Sequence, residues 1–463
     1  MASRLLLAAV AVPVAFATAA AQAVAANAPP SSRADYALTN VRIVVSPGKV
    51  IERGTVLTRD GRISAVGANV TIPAGTVKMD LTGSTVYAGL IDAATSIGLP
   101  SPTRALPATP AADAAAAGRG GRAAGGGGRG IPVAGRGAPP PPPVVLPEID
   151  ASAQAADMFS PTEDQLKAFR AGGVTTVGLV FDGGIFPGRV GVAMTGEKSA
   201  GPLTLKVDAG QEVAFGTKRG GVYPATGIGV IAYIRQAFLD AQYESRVDKA
   251  FKAGIPGGRP ASDPFRRALM PAATNEMSSW FVASTERQIT RVGEISKEMG
   301  LKGPVVVGAQ EGWRVIPALK SANATAVVSL QWPSVDSITG REFLAVGMGK
   351  TGVAPPPTAA EIAEVHANAA ALAKAGIPVV LASFGGESGN NFRDRIRQTI
   401  AAGMSADDAL RAATVTPASV LGISAAVGTI EVGKLANLLV VDGNDLFAAT
   451  NPIKHVFIAG RLY

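Results

Sequence analysis

The 463-residue chain contains no cysteine and only two histidines, His366 and His455. Without cysteine there is no disulfide, no thiolate nucleophile and no Cys-ligated zinc. A serine–histidine nucleophile is short of material too, because His366 lies in a helical run and His455 in a terminal β segment. Acidic residues are the minority, 35 against 43 Lys plus Arg, for a formal net charge of +8. A basic excess ordinarily points to nucleic acid or an anionic surface. Here five arginines (Arg104, Arg119, Arg122, Arg129 and Arg136) fall in one Gly- and Pro-rich segment whose only acid before Glu148 is Asp113. Half of the excess therefore belongs to that segment, and no nucleic-acid partner is expected.

What is present is apolar: 47% of the residues are hydrophobic, enough for one large core and a smaller satellite. The first 23 residues have the form of a signal peptide. Arg4 opens a charge-free run from Leu5 to Ala19, and Ala21-Gln22-Ala23 is a small-x-small cleavage pattern. The run is short for a membrane span. The expectation is export to the periplasm or extracellular space, with no stable membrane span once the signal is cleaved. Residues 100–147, rich in Ala, Gly, Arg and Pro and closing with AGRGAPPPPPVV, cannot bury enough apolar area to offset the entropy of ordering. They read as a disordered surface insertion, either a flexible loop or a proline-stiffened handle for a partner.

From residue 36 to 86, short β-branched runs (VRIVV, TVLTRDGRISAVG, VTIP) alternate with turn residues, and Asp60-Gly61 is a strong tight-turn signal. This predicts a small antiparallel β unit, and residues 424–463 repeat the style, so both chain ends are expected to share one β-sandwich. Between them the pattern is α/β. Strand-like runs are VYAGLID, VTTVGLVF, VGVAM, GPVVVGA, TAVVSL and IPVVLAS. Helical stretches such as AYIRQAFLDAQYESRVDKAF, SSWFVASTERQITRVGEISKEMG and AEIAEVHANAAALAKAG separate them.

LTGSTVYAGLIDA, followed far downstream by GMSADDALRAATVTPASVLGISAAVGTIEVGKLANLLVVDG and VFIAGRLY, resembles the metal-dependent amidohydrolase superfamily, in particular its imidazolonepropionase-like exported branch. The resemblance implies a TIM-like (β/α)8 barrel over residues 87–423, beside a small β-sandwich formed by residues 36–86 and 424–463. It also implies hydrolysis of amide or related C–N bonds by hydroxide on one or two divalent metals at the barrel mouth.

The family's first strand ends in Asp-x-His-x-His, whose alternate residues face the same way and grip a metal. This chain keeps Asp92 but carries Ala94 and Ser96 at the histidine positions. Where the family's last strand delivers an aspartate, it has Ala382, Ser383 and Phe384. The resemblance thus implies a vestigial metal site, so no cofactor is expected, the alternative being a divalent metal such as zinc. Asp92, Glu311, Glu387 and Asp394 are the carboxylates that remain as catalytic candidates, and Gln310, Glu311 and Ser383 are ligand-binding candidates. Glu311 reads equally as a residue opening the next helix, favoured by the helix dipole. In FDGGIFPGR, backbone N–H groups offer an anion cradle, or the glycines simply make a turn.

Three functions follow. The first is an exported amidohydrolase-like protein without binuclear-metal catalysis, acting as a binding or assembly partner of an intact homologue or of itself. The second is an active hydrolase of a C–N bond with a non-standard site. The third is a partner-binding protein working through the Arg/Gly/Pro insertion.

Overall fold

The computed structural model describes residues 34–100, 149–201, 203–216, 223–255, 263–332, 358–384 and 391–463. The proposed signal peptide, nearly all of the 100–147 insertion and Glu387 lie outside the described residues.

Two eight-stranded sheets organise the chain. The first takes strands from both ends: β1 (Tyr36–Ser46), β2 (Lys49–Arg59), β3 (Arg62–Gly67), β4 (Val77–Asp80) and β5 (Ser84–Ala88), and later β14 (Leu438–Asp442), β15 (Ile453–Ile458) and β16 (Arg461–Leu462). Its order is β16-β15-β14-β5-β1-β2-β3, with β4 beside β1. The turn between β2 and β3 is Asp60-Gly61, with both residues at positive φ (49° and 77°), the backbone a two-residue hairpin requires. The N-terminal unit is not wholly antiparallel as predicted. β1 pairs with β2 antiparallel but with β4 and β5 parallel, because the connection from β3 to β4 carries the chain back to run alongside β1.

β14 shows how this sheet meets the rest of the molecule. Leu438 and Val440 join a core with Leu38, Ile43, Val86 and Phe457. Leu439 and Val441 point the other way, into the main core. Period-2 alternation between two apolar cores makes LLVV hydrophobic throughout. Asn437, just ahead of it, locks the junction: its Oδ1 accepts from the Ala459 N–H at 2.7 Å, its Nδ2 donates to Thr176 Oγ1 at 3.3 Å, and its carbonyl accepts from the Gly89 N–H at 2.9 Å.

The second sheet is a nearly closed barrel: β6 (Leu90–Thr95), β7 (Val174–Leu179), β8 (Arg189–Met194), β9 (Thr204–Ala214), β10 (Ser279–Ala283), β11 (Val305–Gly308), β12 (Thr325–Ser329) and β13 (Val379–Ala382). Neighbouring strands are parallel except that β8 runs antiparallel to both β7 and β9. The expected TIM-like barrel with a second β body is the observed architecture, with one strand reversed. The FDGGIFPGR stretch is the turn into that strand, and the Phe181 N–H is already taken by the Glu212 carboxylate at 2.9 Å.

One stretch read as helical is divided. SWFVA is β10, buried on nearly every residue, and the helix Glu286–Met299 begins only after Thr285, whose side chain closes a capping box with Gln288. The other two predicted helices stand as Gly227–Lys252 and Ala359–Lys374. Among the described residues no helix is long and apolar enough to cross a membrane.

Candidate functional site

The parallel strands point their C-terminal ends to one mouth, where barrel sites are ordinarily built. β6 and β13 meet there without a regular ladder, and side chains complete the joint. The Asp92 carboxylate is fully buried and accepts from Ser383 twice, from its N–H at 2.9 Å and its hydroxyl at 2.5 Å. The next N–H, that of Phe384, donates to the Ala94 carbonyl at 3.0 Å. Phe384 holds φ at 55° to do so, a left-handed conformation unfavourable for a bulky side chain and maintained by its surroundings. Burial raises the Asp92 pKa to about 7, against the lowering effect of the bonds from Ser383 and Ala94.

Asp92 and Ser383 are therefore brought together, and the other candidates are dispersed. Ala94 is fully buried in the main core, whereas Ser96 follows β6 and its carbonyl accepts the Leu99 N–H in a turn. Gln310 donates from Nε2 to the Gln331 carbonyl at 3.0 Å, tying the loops after β11 and β12. Glu311 accepts the Glu286 N–H at 2.6 Å. It serves a helix terminus as the alternative reading held, but that of the preceding helix Glu286–Met299 rather than the next one. Asp394 is exposed and paired with Arg397, so it does not join Asp92 at the joint.

Sequence reading missed three features of this mouth. The first is Arg395, in the helix Phe392–Ala401. It lines a pocket with Leu330, Gln331, Ser383 and Phe392. The second is the stack beside it: the Arg395 guanidinium lies 5.5 Å from the Trp332 ring centre, and the Trp332 and His366 rings are 4.1 Å apart. His366 is thus half-buried against the mouth rather than merely a helix-surface residue, and burial, reinforced by Arg395, lowers its pKa. His455 remains on β15, opposite Val440. The third is Glu212 on β9, fully buried, with Oε2 on the Phe181 N–H and Oε1 unpartnered. Burial and, secondarily, Asp182 raise its pKa to about 8, against the Phe181 bond. Among the described residues, no three His, Asp or Glu side chains converge as a metal-holding group.

Residues 318–463 match the model of the amidohydrolase family. Among solved structures, an amidohydrolase from Thermotoga maritima MSB8 aligns at 22% identity and a TM-score of 0.69, covering 92% of this chain and 99% of that one. A Xaa-Pro dipeptidase with bound methionine in its active site aligns at 16% identity and 0.52, covering 93% and 100%. A protein described as a putative prolidase from Bifidobacterium longum aligns at 18% identity and 0.50, covering 93% and 94%. At these identities the structural likeness speaks for the fold. No curated protein sequence matches the chain significantly. The resemblance to the amidohydrolase superfamily is borne out in its C-terminal block by the family match, and the solved structures share the fold.

Proposed function

We propose that this amidohydrolase-superfamily chain is an exported binding or assembly protein that keeps the barrel of its relatives and does not use binuclear-metal hydrolysis. The observation that supports this most directly is the joint between β6 and β13. A divalent cation at the strand ends asks for several oxygen or nitrogen side-chain donors. At this joint Ala94 has no side-chain donor, Phe384 has none, and both Asp92 oxygens are engaged by Ser383. This donor set does not fit the family's metals.

Partnership is with an intact homologue or a second copy, and the form of residues 1–23 supports export. The test is metal analysis of protein purified without chelator, alongside turnover of small cyclic amides and dipeptides with and without added zinc. Less than a tenth of an equivalent of zinc and no turnover is the expected result. One or two equivalents lost together with activity on chelation would falsify the proposal.

The Asp92–Ser383 bond favours one second reading, a hydrolase of C–N bonds in which Asp92 takes the hydroxyl proton as Ser383 attacks. Ser383 lines the mouth pocket, which gives that reading its geometry. Turnover in the same screen that disappears in Ser383→Ala, with the fold intact by circular dichroism, would select it.

A further inference from the structure

The mouth pocket carries a charge that no described residue pairs with. Its walls are Leu330, Gln331, Ser383, Phe392 and Arg395, around a shallow, solvent-open recess of about 20 Å³, room for a group the size of one carboxylate. Arg395 makes no ion pair with a described residue: neighbouring Asp394 is held by Arg397, and Glu364 by Arg314. Asp92, behind Ser383, has its pKa raised by burial to about 7. His366, behind Trp332, has its pKa lowered and is uncharged at neutral pH. Among the described residues that line this space, the guanidinium is the one charged group.

The same guanidinium is held in place. It lies over the indole of Trp332, which is only 9% exposed and is itself packed against the His366 ring. Stacking by one face leaves the N–H edge of an arginine available, and that edge matches the two oxygens of a carboxylate. Leu330 and Phe392 supply apolar wall, and the Gln331 amide supplies a neutral polar group. A single planar fork, the one charged group among the described lining residues, suits a monoanion better than a phosphate dianion.

We propose that the Arg395 pocket binds the carboxylate of a small organic acid, with the guanidinium as the recognition group and Trp332 as its brace. This deepens the binding reading above and rests on it for the role of the mouth. It is read by association rather than by metal content or turnover, so the two proposals fail separately.

Isothermal titration calorimetry on the full chain tests it, with N-acetylglycine as the probe and N-acetylglycinamide as its uncharged counterpart. Saturable binding of the acid is expected, at least tenfold tighter than the amide and than inorganic phosphate. Arg395→Gln should weaken it at least tenfold, and Arg395→Lys, which keeps the charge but loses the fork, several-fold. Exposed Arg411→Gln, which removes the same charge elsewhere, should leave it unchanged. If Arg395→Gln does not fold, Arg395→Lys carries the decision. Equal affinity in the foldable Arg395 variant, equal binding of amide or phosphate, or no heat with N-acetylglycine at millimolar concentration would each overturn the assignment.

Discussion

Asp92 and Ser383, 291 residues apart in the chain, form the two-bond joint that brings the last barrel strand to the first. The chemistry is economical in atoms. One carboxylate satisfies both an N–H and a hydroxyl at a place where the strands lack a regular ladder, and it is itself desolvated by doing so. Such a group stabilises closure only while both partners are present, because an unmet buried donor costs more than a made bond contributes.

Asp92→Ala should therefore be the most damaging change at the mouth. It removes the acceptor of two Ser383 bonds and leaves a void beside Ala94, together about 2–4 kcal/mol. Asp92→Asn keeps an acceptor for the N–H and lets its amide donate to the Ser383 oxygen, so it should lose about 1 kcal/mol or less at pH 7. Urea unfolding of both variants checks the order, and equal losses would show that the void rather than the hydrogen bonds dominates.

The two buried carboxylates make stability depend on pH in an unusual direction. Asp92 and Glu212 hold protons up to about 7 and about 8 in the folded chain, whereas unfolded carboxyls lose them near pH 4. Between these limits the folded state binds more protons, so its stability is fullest below about pH 4 as far as these groups are concerned and falls as pH rises. The melting temperature should drop from pH 5 to pH 8.5. Glu212→Gln cannot ionise and should flatten that slope, matching the parent within about 1 kcal/mol at pH 5 and exceeding it at pH 8.5. A slope unchanged in Glu212→Gln would remove Glu212 as its source.

Much of the architecture was legible because it is local or periodic. Asp60-Gly61 marks its own hairpin, and the β-branched runs near both chain ends mark the strands of the shared sheet. The failures have non-local causes. β10 is a five-residue apolar run that merges by eye with the helix after it, and only the Thr285 capping box separates them. β9 carries Gly210 mid-strand, which weakens any strand pattern. The glycine makes sense only beside Trp280, whose indole would lie 2.2 Å from an added Cβ. At the site, Asp92 and Ser383 could each be singled out from a motif, but their bond spans most of the chain. Arg395 and Trp332 acquire meaning only where a helix and the end of β12 come together.

Gly178 tests how closely β6 and β7 approach. An added Cβ would sit 2.1 Å from the Ala93 carbonyl oxygen and 2.7 Å from its carbon. The obstacle is backbone, which cannot rotate away as a side chain can. Gly178→Ala should cost at least about 3 kcal/mol or prevent folding. By contrast Gly376→Ala meets nothing within 4 Å and is limited by its positive φ of 78° alone, so about 1 kcal/mol is expected. Comparable chemical-denaturation midpoints for the two variants would contradict the close approach.

Asn437 joins the two bodies, and its side chain works in both directions. It accepts from the Ala459 N–H in the terminal sheet and donates to Thr176 on β7. The residue is 4% exposed, so water cannot replace either bond. Asn437→Ala removes both buried side-chain bonds and should cost about 2–3 kcal/mol. Asn437→Asp keeps the acceptor for Ala459 and removes the donor to Thr176, whose hydroxyl can turn and donate instead. Its loss should be smaller than that of alanine, and larger losses for aspartate would mean that burying the charge outweighs the bonds it makes. Hydrogen exchange of the Ala459 amide separates the cases: it should quicken in Asn437→Ala and stay slow in Asn437→Asp.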